Sequence, residues 1–251
     1  MLTRQRKQHI LKILKRDGNV VAKALSEELG LSEDTIRRDL RELAAEGLLQ
    51  RVHGGALPAS PAAADFAARQ VLAPEAKVAI GGAAARLIRP GQVVILDGGT
   101  TAVQVARQLP PGLQATVVTH SPSVAVELAG HAGVEVVLIG GRLFKHSIVA
   151  VGAAAIEAMS QIRADLYFMG VTGVHVQEGL STGDLEEAYV KRALSRRAAE
   201  TIVLASSEKL GVASPYVVLP TSEVSGLVVE AGVPEEVTAP YAQLGLSITR
   251  A

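Results

Sequence analysis

Residues 31–40 read Leu31-Ser32-Glu33-Asp34-Thr35-Ile36-Arg37-Arg38-Asp39-Leu40, and this stretch decides the fold of the N-terminal region. Ser32 is a typical helix N-cap, because its hydroxyl can accept a hydrogen bond from a free backbone N–H of the first turn. Ile36, Leu40 and Leu43 follow at the spacing of one helical face, so these three side chains can pack inward together. The stretch therefore predicts a short helix with one buried side.

The other side of this predicted helix is basic. Arg37 and Arg41 share a face, and Arg38 lies one step round from Arg37. Guanidinium groups on an anchored helix are suited to meet phosphates and base edges. The alternative is that the arginines form only a solvated helix face, and for an isolated pair that interpretation is preferred. Here their position between a turn and a candidate wing favours DNA binding.

The flanking residues predict a helix-turn-helix motif followed by a wing. Apolar residues at 10–14 indicate a first helix, and a second helix runs from about residue 21 to residue 29, with Gly30 at its C-cap. Residues 48–53 alternate enough to form a strand, and Gly54-Gly55 permits a sharp reversal. In such a motif the second helix of the pair lies in the major groove of DNA.

The candidate DNA-binding residues lie at the helix start, on its basic face and in the wing. They are Ser32, Asp34, Thr35, Arg37, Arg38, Arg41, Arg51 and His53. The partner that they imply is a double-stranded DNA operator. Two heads in a homo-oligomer, either a dimer or a tetramer, would read half-sites about one helical turn, ~34 Å, apart.

Composition narrows the class of protein. The 251 residues include no cysteine, so neither a disulfide framework nor a thiolate metal site can form, and we expect no metal and no cofactor. The sequence contains no long apolar run and no apolar leader, so we expect no membrane span and a cytoplasmic location. Residues 1–55 hold 11 Lys and Arg against 8 Asp and Glu, whereas residues 56–251 hold 14 against 17. This asymmetry suits a DNA-binding head on a weakly acidic body.

The rest of the chain predicts a linker and an α/β body. We place the head at residues 1–56, a proline- and alanine-rich linker at 57–73, and the body at 74–251. Residues 65–69 are expected to dock onto the body, and the alternative is that they serve only as a spacer. Short apolar strands are predicted at residues 93–96, 115–119, 134–139, 166–169, 201–205 and 227–229. Helices are predicted at residues 74–88, 101–109, 123–129, 153–159 and 185–200. This alternation indicates an open, mostly parallel sheet with ligands beyond the carboxyl ends of its strands.

Three loops follow predicted strands and are candidates to hold a ligand. In Asp97-Gly98-Gly99-Thr100-Thr101, glycines allow close backbone approach, N–H groups at a helix start attract anions, and two hydroxyls add donors. These features describe a phosphate cradle, although the glycine pair by itself would indicate only a tight turn. The second loop is Thr119-His120-Ser121, and the third is Gly140-Gly141-Arg142. His120 taken alone is interpreted as a hydrogen-bonding histidine rather than a catalyst.

Both parts of the chain resemble the DeoR family of bacterial transcriptional regulators. In the head, the resemblance is carried by Arg4-Gln5, by residues 31–40 and by Arg51-Val52-His53-Gly54-Gly55-Ala56. In the body, over about residues 74–230, the matching residues are Glu75, Lys77, Asp97, Gly99, Thr100, Thr101, Thr119, Ser121, Gly140, Gly141, Gly152, Asp165, Phe168, Gly170, Gly173, Gly179, Leu180, Ser181, Thr182, Glu187, Lys191, Lys209 and Gly211.

The resemblance implies a winged helix-turn-helix head and a Rossmann-like sensor domain similar in fold to ribose-5-phosphate isomerase and CoA-transferase-like enzymes. It also implies a repressor of sugar metabolism genes that responds to a phosphorylated sugar and has no catalytic residue. In this interpretation Asp97 or Glu187 holds sugar hydroxyls, and Lys191 and Lys209 neutralise the phosphate. The candidate effector-binding residues are Asp97, Gly98, Gly99, Thr100, Thr101, Thr119, His120, Ser121, Gly141, Glu187, Lys191 and Lys209.

Several features leave alternatives open. Lys191 lies four residues after Glu187, so the two could instead form an ordinary surface ion pair. The family usually has Asn at the position of His120 and Asp-Ser-Ser-Lys where this chain has Ser206-Ser207-Glu208-Lys209, and an Ile-Thr-Asp-like run is here Val228-Val229-Glu230. These departures bear on effector identity. The chain could also be a sugar-phosphate isomerase with an added head, or its body could serve only for oligomerisation.

Overall fold

The computed structural model describes residues 2–251 and divides them into a small N-terminal head and a larger α/β body. The elements of the head are α1 (Thr3–Asp17), β1 (Val20–Val21), α2 (Ala22–Leu29), α3 (Glu33–Ala45), β2 (Leu49–Val52) and β3 (Gly55–Pro58). The helix-turn-helix and the two-stranded wing are therefore present as predicted. The two-residue strand β1 was not predicted; it pairs with β3 and completes a three-stranded sheet in the order β1-β3-β2.

Local sequence signals place the ends of α2 and α3. Gly30 has a φ of 61°, the left-handed conformation that favours glycine, and its N–H closes the end of α2. The hydroxyl of Ser32 accepts a hydrogen bond from the N–H of Thr35, as predicted for an N-cap. Ile36 and Leu40 are buried in the head core on the inner face of α3.

A buried ion pair joins α1 to α3. The guanidinium of Arg6 donates to both carboxylate oxygens of Asp39, and the Asp39 side chain is fully buried. Sequence periodicity gave no indication of this pair, because its members lie 33 residues apart. The pair fixes the rotation of α3 about its axis, so that Asp39 faces α1 while Arg38, the preceding residue, faces solvent.

The linker is folded against the body. Strand β3 extends to Pro58, Ala59 forms an isolated bridge with Ala213, and α4 (Phe66–Val71) follows a short 3-10 turn at Pro61–Ala63. The N–H of Phe66 donates to the carbonyl of His146 across 2.8 Å. Residues 65–69 therefore dock onto the body, as predicted.

The body alternates helices and strands over the remaining residues. Its elements are α5 (Pro74–Ala85), β4 (Val93–Leu96), α6 (Thr100–Arg107), β5 (Ala115–Thr119), α7 (Pro122–Leu128), β6 (Val134–Leu138), β7 (Arg142–Phe144), β8 (Val149–Val151), α8 (Ala153–Ser160), β9 (Ala164–Gly170), β10 (Gly173–His175), β11 (Gly179–Thr182), α9 (Leu185–Ser195), β12 (Ala198–Leu204), β13 (Tyr216–Leu219), β14 (Gly226–Val229), α10 (Glu235–Gln243) and β15 (Ser247–Arg250).

The central sheet has seven strands in the order β15-β14-β12-β9-β4-β5-β6, and every neighbouring pair is parallel. Apolar strands such as β4 suit this position, because helices cover both faces of the sheet and form two separate cores. The chain runs from β4 outward through β5 and β6 and then returns to the other side of β4 with β9. The crevice between the carboxyl ends of β4 and β9 is therefore a topological switch point, where ligands bind in open α/β sheets.

Several parts of the body differ from the prediction. The helix predicted at residues 185–200 ends at Ser195, and β12 begins at Ala198, because Ala198 and the residues after it pair with β9. The β7–β8 hairpin, the small sheet β10-β11-β13 and the C-terminal elements α10 and β15 were not predicted. Among residues 2–251, no helix combines the length and the apolar character needed to cross a bilayer.

Candidate functional site

The basic face of α3 is exposed to solvent. Arg38 and Arg41 have no ionic partner among residues 2–251, and Arg37 donates to Glu33 across 2.7 Å on the same helix. Exposed i,i+4 pairs of this kind contribute little to stability, so Arg37 remains available to an anionic partner. At the start of the helix, Asp34 is exposed.

The wing brings two further predicted residues beside this helix. Arg51 on β2 and His53 at the turn line one cleft together with Arg37. Ser32 and Thr35 lie at the amino end of α3, where their hydroxyl oxygens are 2.9 Å apart. The helix and the wing therefore form one polar surface with an excess of positive charge, which suits the sugar-phosphate backbone of nucleic acid.

A second site lies in the body, at the switch point of the central sheet. This cleft encloses about 530 Å³ of space, part of it open to solvent. It is bounded by the α6 start, α9, the linker region and the turn after β12. Its lining includes Ala62, Arg69, Lys77, Gly98, Gly99, Thr100, Thr101, Thr172, Glu187, Lys191, Glu208 and Lys209.

The loop after β4 supplies the amino end of α6. Thr100 and Thr101 begin that helix, and their free N–H groups and hydroxyls lie at the cleft. Gly99 has a φ of 107°, which only glycine adopts without strain. A Cβ atom at Gly98 would lie 2.0 Å from Cγ1 of Val149, so the close packing of this loop on β8 requires glycine there.

Asp97 lies beneath this loop and is fully buried. Its Oδ2 accepts from Lys191 Nζ at 2.7 Å, from Tyr167 Oη at 3.0 Å and from the N–H of Gly170 at 2.8 Å. Its Oδ1 accepts from the N–H of Gly98, and it lies 2.8 Å from His120 Nε2. Both oxygens are thus occupied by protein groups, so Asp97 positions the site and has no acceptor capacity left for a sugar hydroxyl.

The charge of Asp97 is stabilised by its neighbours. Burial alone would raise the pKa of this carboxyl, but the ammonium of Lys191 and the hydrogen bond with His120 outweigh burial and hold that pKa well below its usual range. Burial and the nearby Asp97 charge raise the pKa of the Tyr167 hydroxyl well above its ordinary value, so Tyr167 remains a donor to Asp97.

The second and third predicted loops do not line the cleft. The hydroxyl of Thr119 accepts from the N–H of Ser121, and the two residues are buried behind the loop of Gly98. His120 is buried, with Nδ1 2.9 Å from the carbonyl of Ala150. Both ring nitrogens of His120 therefore lie within hydrogen-bonding distance of protein oxygens, so the ring has a structural role and does not face the cleft. Gly141 is exposed and lies outside the cleft.

Four cationic side chains line the cleft, and only two of them were among the predicted site residues. Lys191 and Lys209 were predicted to face a phosphate, whereas Arg69 was not singled out and Lys77 was noted only as a family match. Burial lowers the pKa of Lys209 to about 8, and its Nζ makes one long hydrogen bond of 3.5 Å to the carbonyl of Leu204. Burial likewise lowers the pKa of Lys77 and of Arg69.

Two carboxylates share the cleft with these cations. Ser147 Oγ donates to Glu187 across 3.2 Å, and Ser206 Oγ donates to Glu208 Oε1 across 2.6 Å. Oε2 of Glu208 is buried and has no partner among residues 2–251. Glu208 was not among the predicted site residues. The one sequence feature that pointed to it is that this chain has its carboxylate at position 208, whereas the family pattern has one at the position of Ser206. The lining therefore has two more cationic than anionic side chains in addition to the helix start, and the carboxylate of Asp97 beneath it is paired with one of these cations, Lys191.

The alternative of a surface ion pair between Glu187 and Lys191 does not hold. Both side chains are buried, and Lys191 binds Asp97, which lies 94 residues away, instead of its helical neighbour. The i,i+4 rule describes exposed helices; here a buried carboxylate on an adjacent strand end offers a stronger partner.

Comparison with known families covers both parts of the chain. Residues 6–61 match the DeoR-like helix-turn-helix domain, and residues 72–231 match the DeoR C-terminal sensor domain. The HTH-type transcriptional regulator GlpR of Haloferax volcanii is 37% identical over 84% of this chain and 83% of its own length. The glycerol-3-phosphate regulon repressor of Escherichia coli is 32% identical over 82% of each chain.

Among solved structures, the body is similar to ribose 5-phosphate isomerase A of Methanocaldococcus jannaschii, with 18% identity, a TM-score of 0.39 and coverage of 54% of both chains.

Proposed function

The chain belongs to the DeoR family of DNA-binding transcriptional regulators, and from this premise we propose that it represses sugar metabolism genes and that binding of a phosphorylated sugar releases it from DNA. The head would bind the operator through Arg37, Arg38 and Arg41 on α3, with Arg51 and His53 of the wing beside them. The body would bind the effector in the cleft between β4 and β9.

The observation that carries the effector proposal is the charge of this cleft. Four cationic side chains surround the amino end of α6, against two carboxylates. A phosphate monoester carries a charge of about −1.5 to −2 at neutral pH and offers three strong acceptor oxygens. The N–H groups and hydroxyls of Thr100 and Thr101, together with Lys191 and Lys209, supply matching donors.

The carboxylates of the cleft fit the rest of a sugar phosphate. Glu187 and Glu208 both line the cleft, and the free Oε2 of Glu208 can accept a hydrogen bond from a hydroxyl group. Buried acceptors without a partner are uncommon, which supports a ligand hydroxyl at this position. Asp97 has no such capacity, so we assign the hydroxyl contacts to Glu187 and Glu208 alone.

We assign no catalytic role to the cleft. The isomerase alternative needs a carboxylate that can abstract a proton; Asp97 already accepts hydrogen bonds at both oxygens, which leaves this role to Glu187 and Glu208 of the lining. The curated relatives are named as regulators. An isomerase assay on ribose 5-phosphate and glucosamine 6-phosphate is expected to give no turnover; measurable turnover would favour the enzyme.

A homo-oligomer, dimer or tetramer, would present two heads to one operator. Half-sites about one helical turn, ~34 Å, apart make the arrangement of the heads matter, so an effector that favours a different arrangement releases the DNA. Light scattering of the free protein would give the number of chains.

The decisive experiment is a gel shift on DNA upstream of the protein's own gene, at one stated salt concentration, with inorganic phosphate, glycerol 3-phosphate, ribose 5-phosphate and glucosamine 6-phosphate added in turn. We expect a specific complex that at least one phosphate ester dissociates and that the matching unphosphorylated compound, added as a control, leaves intact. Absence of a specific complex would contradict the operator proposal. A complex insensitive to every ester, with no thermal shift of the protein, would contradict the effector proposal and favour a body that serves only for oligomerisation.

A further inference from the structure

Helix α4 belongs to the segment that joins the head to the body, yet it contributes a side chain to the cleft. Arg69 lies on α4 and lines the cleft beside Lys77, Glu187 and Lys209. Its Nη2 donates to Ser147 Oγ across 3.1 Å, and the same hydroxyl donates to Glu187. Arg69 is thus half-buried and held within the site.

The guanidinium of Arg69 has unused donor capacity. Its Nε is buried and has no hydrogen-bond partner in the described part of the chain. Burial disfavours its charge, as the lowered pKa of Arg69 shows, and the nearby Glu187 offsets this only in part. An anion bound in the cleft would accept a hydrogen bond from the free N–H and neutralise the positive charge. A guanidinium can bind a phosphate through two parallel hydrogen bonds.

A second cation of the cleft holds the carboxyl end of the same helix. Lys77 Nζ donates to the backbone carbonyls of Arg69 and Leu72, the last turn of α4. Any anion that draws Lys77 toward the α6 start therefore acts on α4 as well. At the other end of α4, Asp65 accepts from the N–H of Ala68 and caps the helix outside the cleft.

The path from α4 to the head is short. Strand β3 of the wing ends at Pro58, and α4 begins at Phe66. Between them, Ser60 Oγ donates to the carbonyl of Thr172, and both Thr172 and Ala62 line the cleft. The segment next to the wing therefore contacts the site at Ser60 and at Ala62.

We propose that Arg69 is an effector ligand and that α4 is the element through which the bound anion changes the presentation of the head. This inference rests on the proposed function, because it concerns the same phosphorylated effector. It requires that the effector bind the two arrangements of α4 with different affinity, and the coupling is then reciprocal: the effector weakens operator binding by the same factor by which the operator weakens effector binding.

Two variants separate binding from coupling. Arg69→Met removes the guanidinium and keeps an apolar stem; Asp65→Ala removes the α4 cap without touching the cleft. Their controls are Arg142→Met, an exposed arginine outside the cleft, and Glu157→Ala, an exposed carboxylate on α8. For each protein, calorimetry with the phosphate esters and with inorganic phosphate is done with and without operator DNA, and circular dichroism verifies the fold.

We expect Arg69→Met to weaken binding of the ester by about tenfold or more, the effect of losing a charge-assisted hydrogen bond. We expect Asp65→Ala to bind the ester nearly as the wild type does, but with the reciprocal effect of ester and operator largely lost. The controls should match the wild type in both measurements.

The possible failures are distinguishable. If the wild type binds none of the esters, the proposed function is wrong, and so is this inference. If the wild type binds an ester and the ester weakens its operator binding, but Arg69→Met binds the ester equally well, Arg69 is not a ligand. If Asp65→Ala keeps the full reciprocal effect, or if Arg69→Met unfolds while Asp65→Ala responds normally, α4 is not the coupling element.

Discussion

Lys191 Nζ donates to Asp97 Oδ2 across 2.7 Å, and both side chains are buried. The bond ties α9 to the loop that follows β4, while the same carboxylate binds the end of β9 and the loop after β5. One carboxylate thus connects four segments that meet beneath the cleft. The geometry of the site depends on Asp97 even though Asp97 does not reach the ligand position.

Asp97→Asn should therefore destabilise the whole body. The change leaves the ammonium of Lys191 buried beside a neutral amide, and removal of one partner of a buried ion pair typically lowers the free energy of unfolding by about 3–5 kcal/mol. Tyr167→Phe is the matched control, since it deletes one hydrogen bond to Asp97 and should lower it by only about 1 kcal/mol. Urea unfolding monitored by circular dichroism measures both; equal small losses would contradict a central role for Asp97.

Gly98→Ala should be destabilising for a steric reason. The new Cβ would lie 2.0 Å from Cγ1 of Val149, and overpacking of this kind costs about 1–3 kcal/mol. Val149→Ala removes that atom, so the double variant should lose at least about 0.5 kcal/mol less than the two single variants added together. Gly112→Ala is the control: open space surrounds that position and its φ lies outside the left-handed region. Strict additivity in the double-mutant cycle would contradict the clash.

The sequence predicted elements best where local chemistry decides them. The bounds of β4 and β5 were predicted as observed, because continuous apolar runs with glycine or proline nearby leave little choice for a buried parallel strand. The cap at Ser32 and the C-cap at Gly30 were likewise predicted, since both depend on residues within one turn.

The sequence failed where distant residues meet. Helical spacing suggested Glu187 as the partner of Lys191, but in the structure Lys191 binds Asp97. Arg69 reaches the cleft from a linker helix that no strand-end rule would select, whereas Glu208 lies in the turn after β12 and was not among the predicted site residues although its neighbour Lys209 was. His120 follows a strand, which is where ligand-binding residues of parallel sheets lie. Its side chain is nevertheless buried behind the loop of Gly98 and does not reach the cleft.

Affinity for the effector should fall as pH rises above neutrality. Burial lowers the pKa of Lys209 to about 8, so the ammonium is mostly charged at pH 7 and mostly neutral at pH 9. A phosphate ester is already a dianion above pH 7, so the ligand does not change, and affinity should drop about tenfold between pH 7 and pH 9 if the charge of Lys209 is required. Titration calorimetry across this range makes the measurement.

Lys209→Gln is the control for this pH dependence. The variant should bind the ester more weakly at pH 7, and its affinity should change less between pH 7 and pH 9, because the titrating group is gone. Wild-type affinity that stays constant over the same range would show that Lys209 does not face the phosphate.

Arg38→Ala should remove specific operator binding and leave the effector site intact. Arg38 is exposed on α3 and is without an ionic partner in residues 2–251, while Asp39 beside it is locked to Arg6 and so fixes the orientation of the helix. An arginine that reads a base contributes about 1–3 kcal/mol, so specific affinity should fall about tenfold or more, and binding to unrelated DNA should change little.

If Arg38 contacts only phosphate, the loss should instead be uniform across sequences, and the salt dependence should weaken by about one counterion. Arg142→Ala, with the same charge change on the body, should match the wild type on both DNAs. Retention of specific binding by Arg38→Ala, measured by fluorescence anisotropy at a fixed salt concentration, would contradict the assignment of α3 as the reading helix.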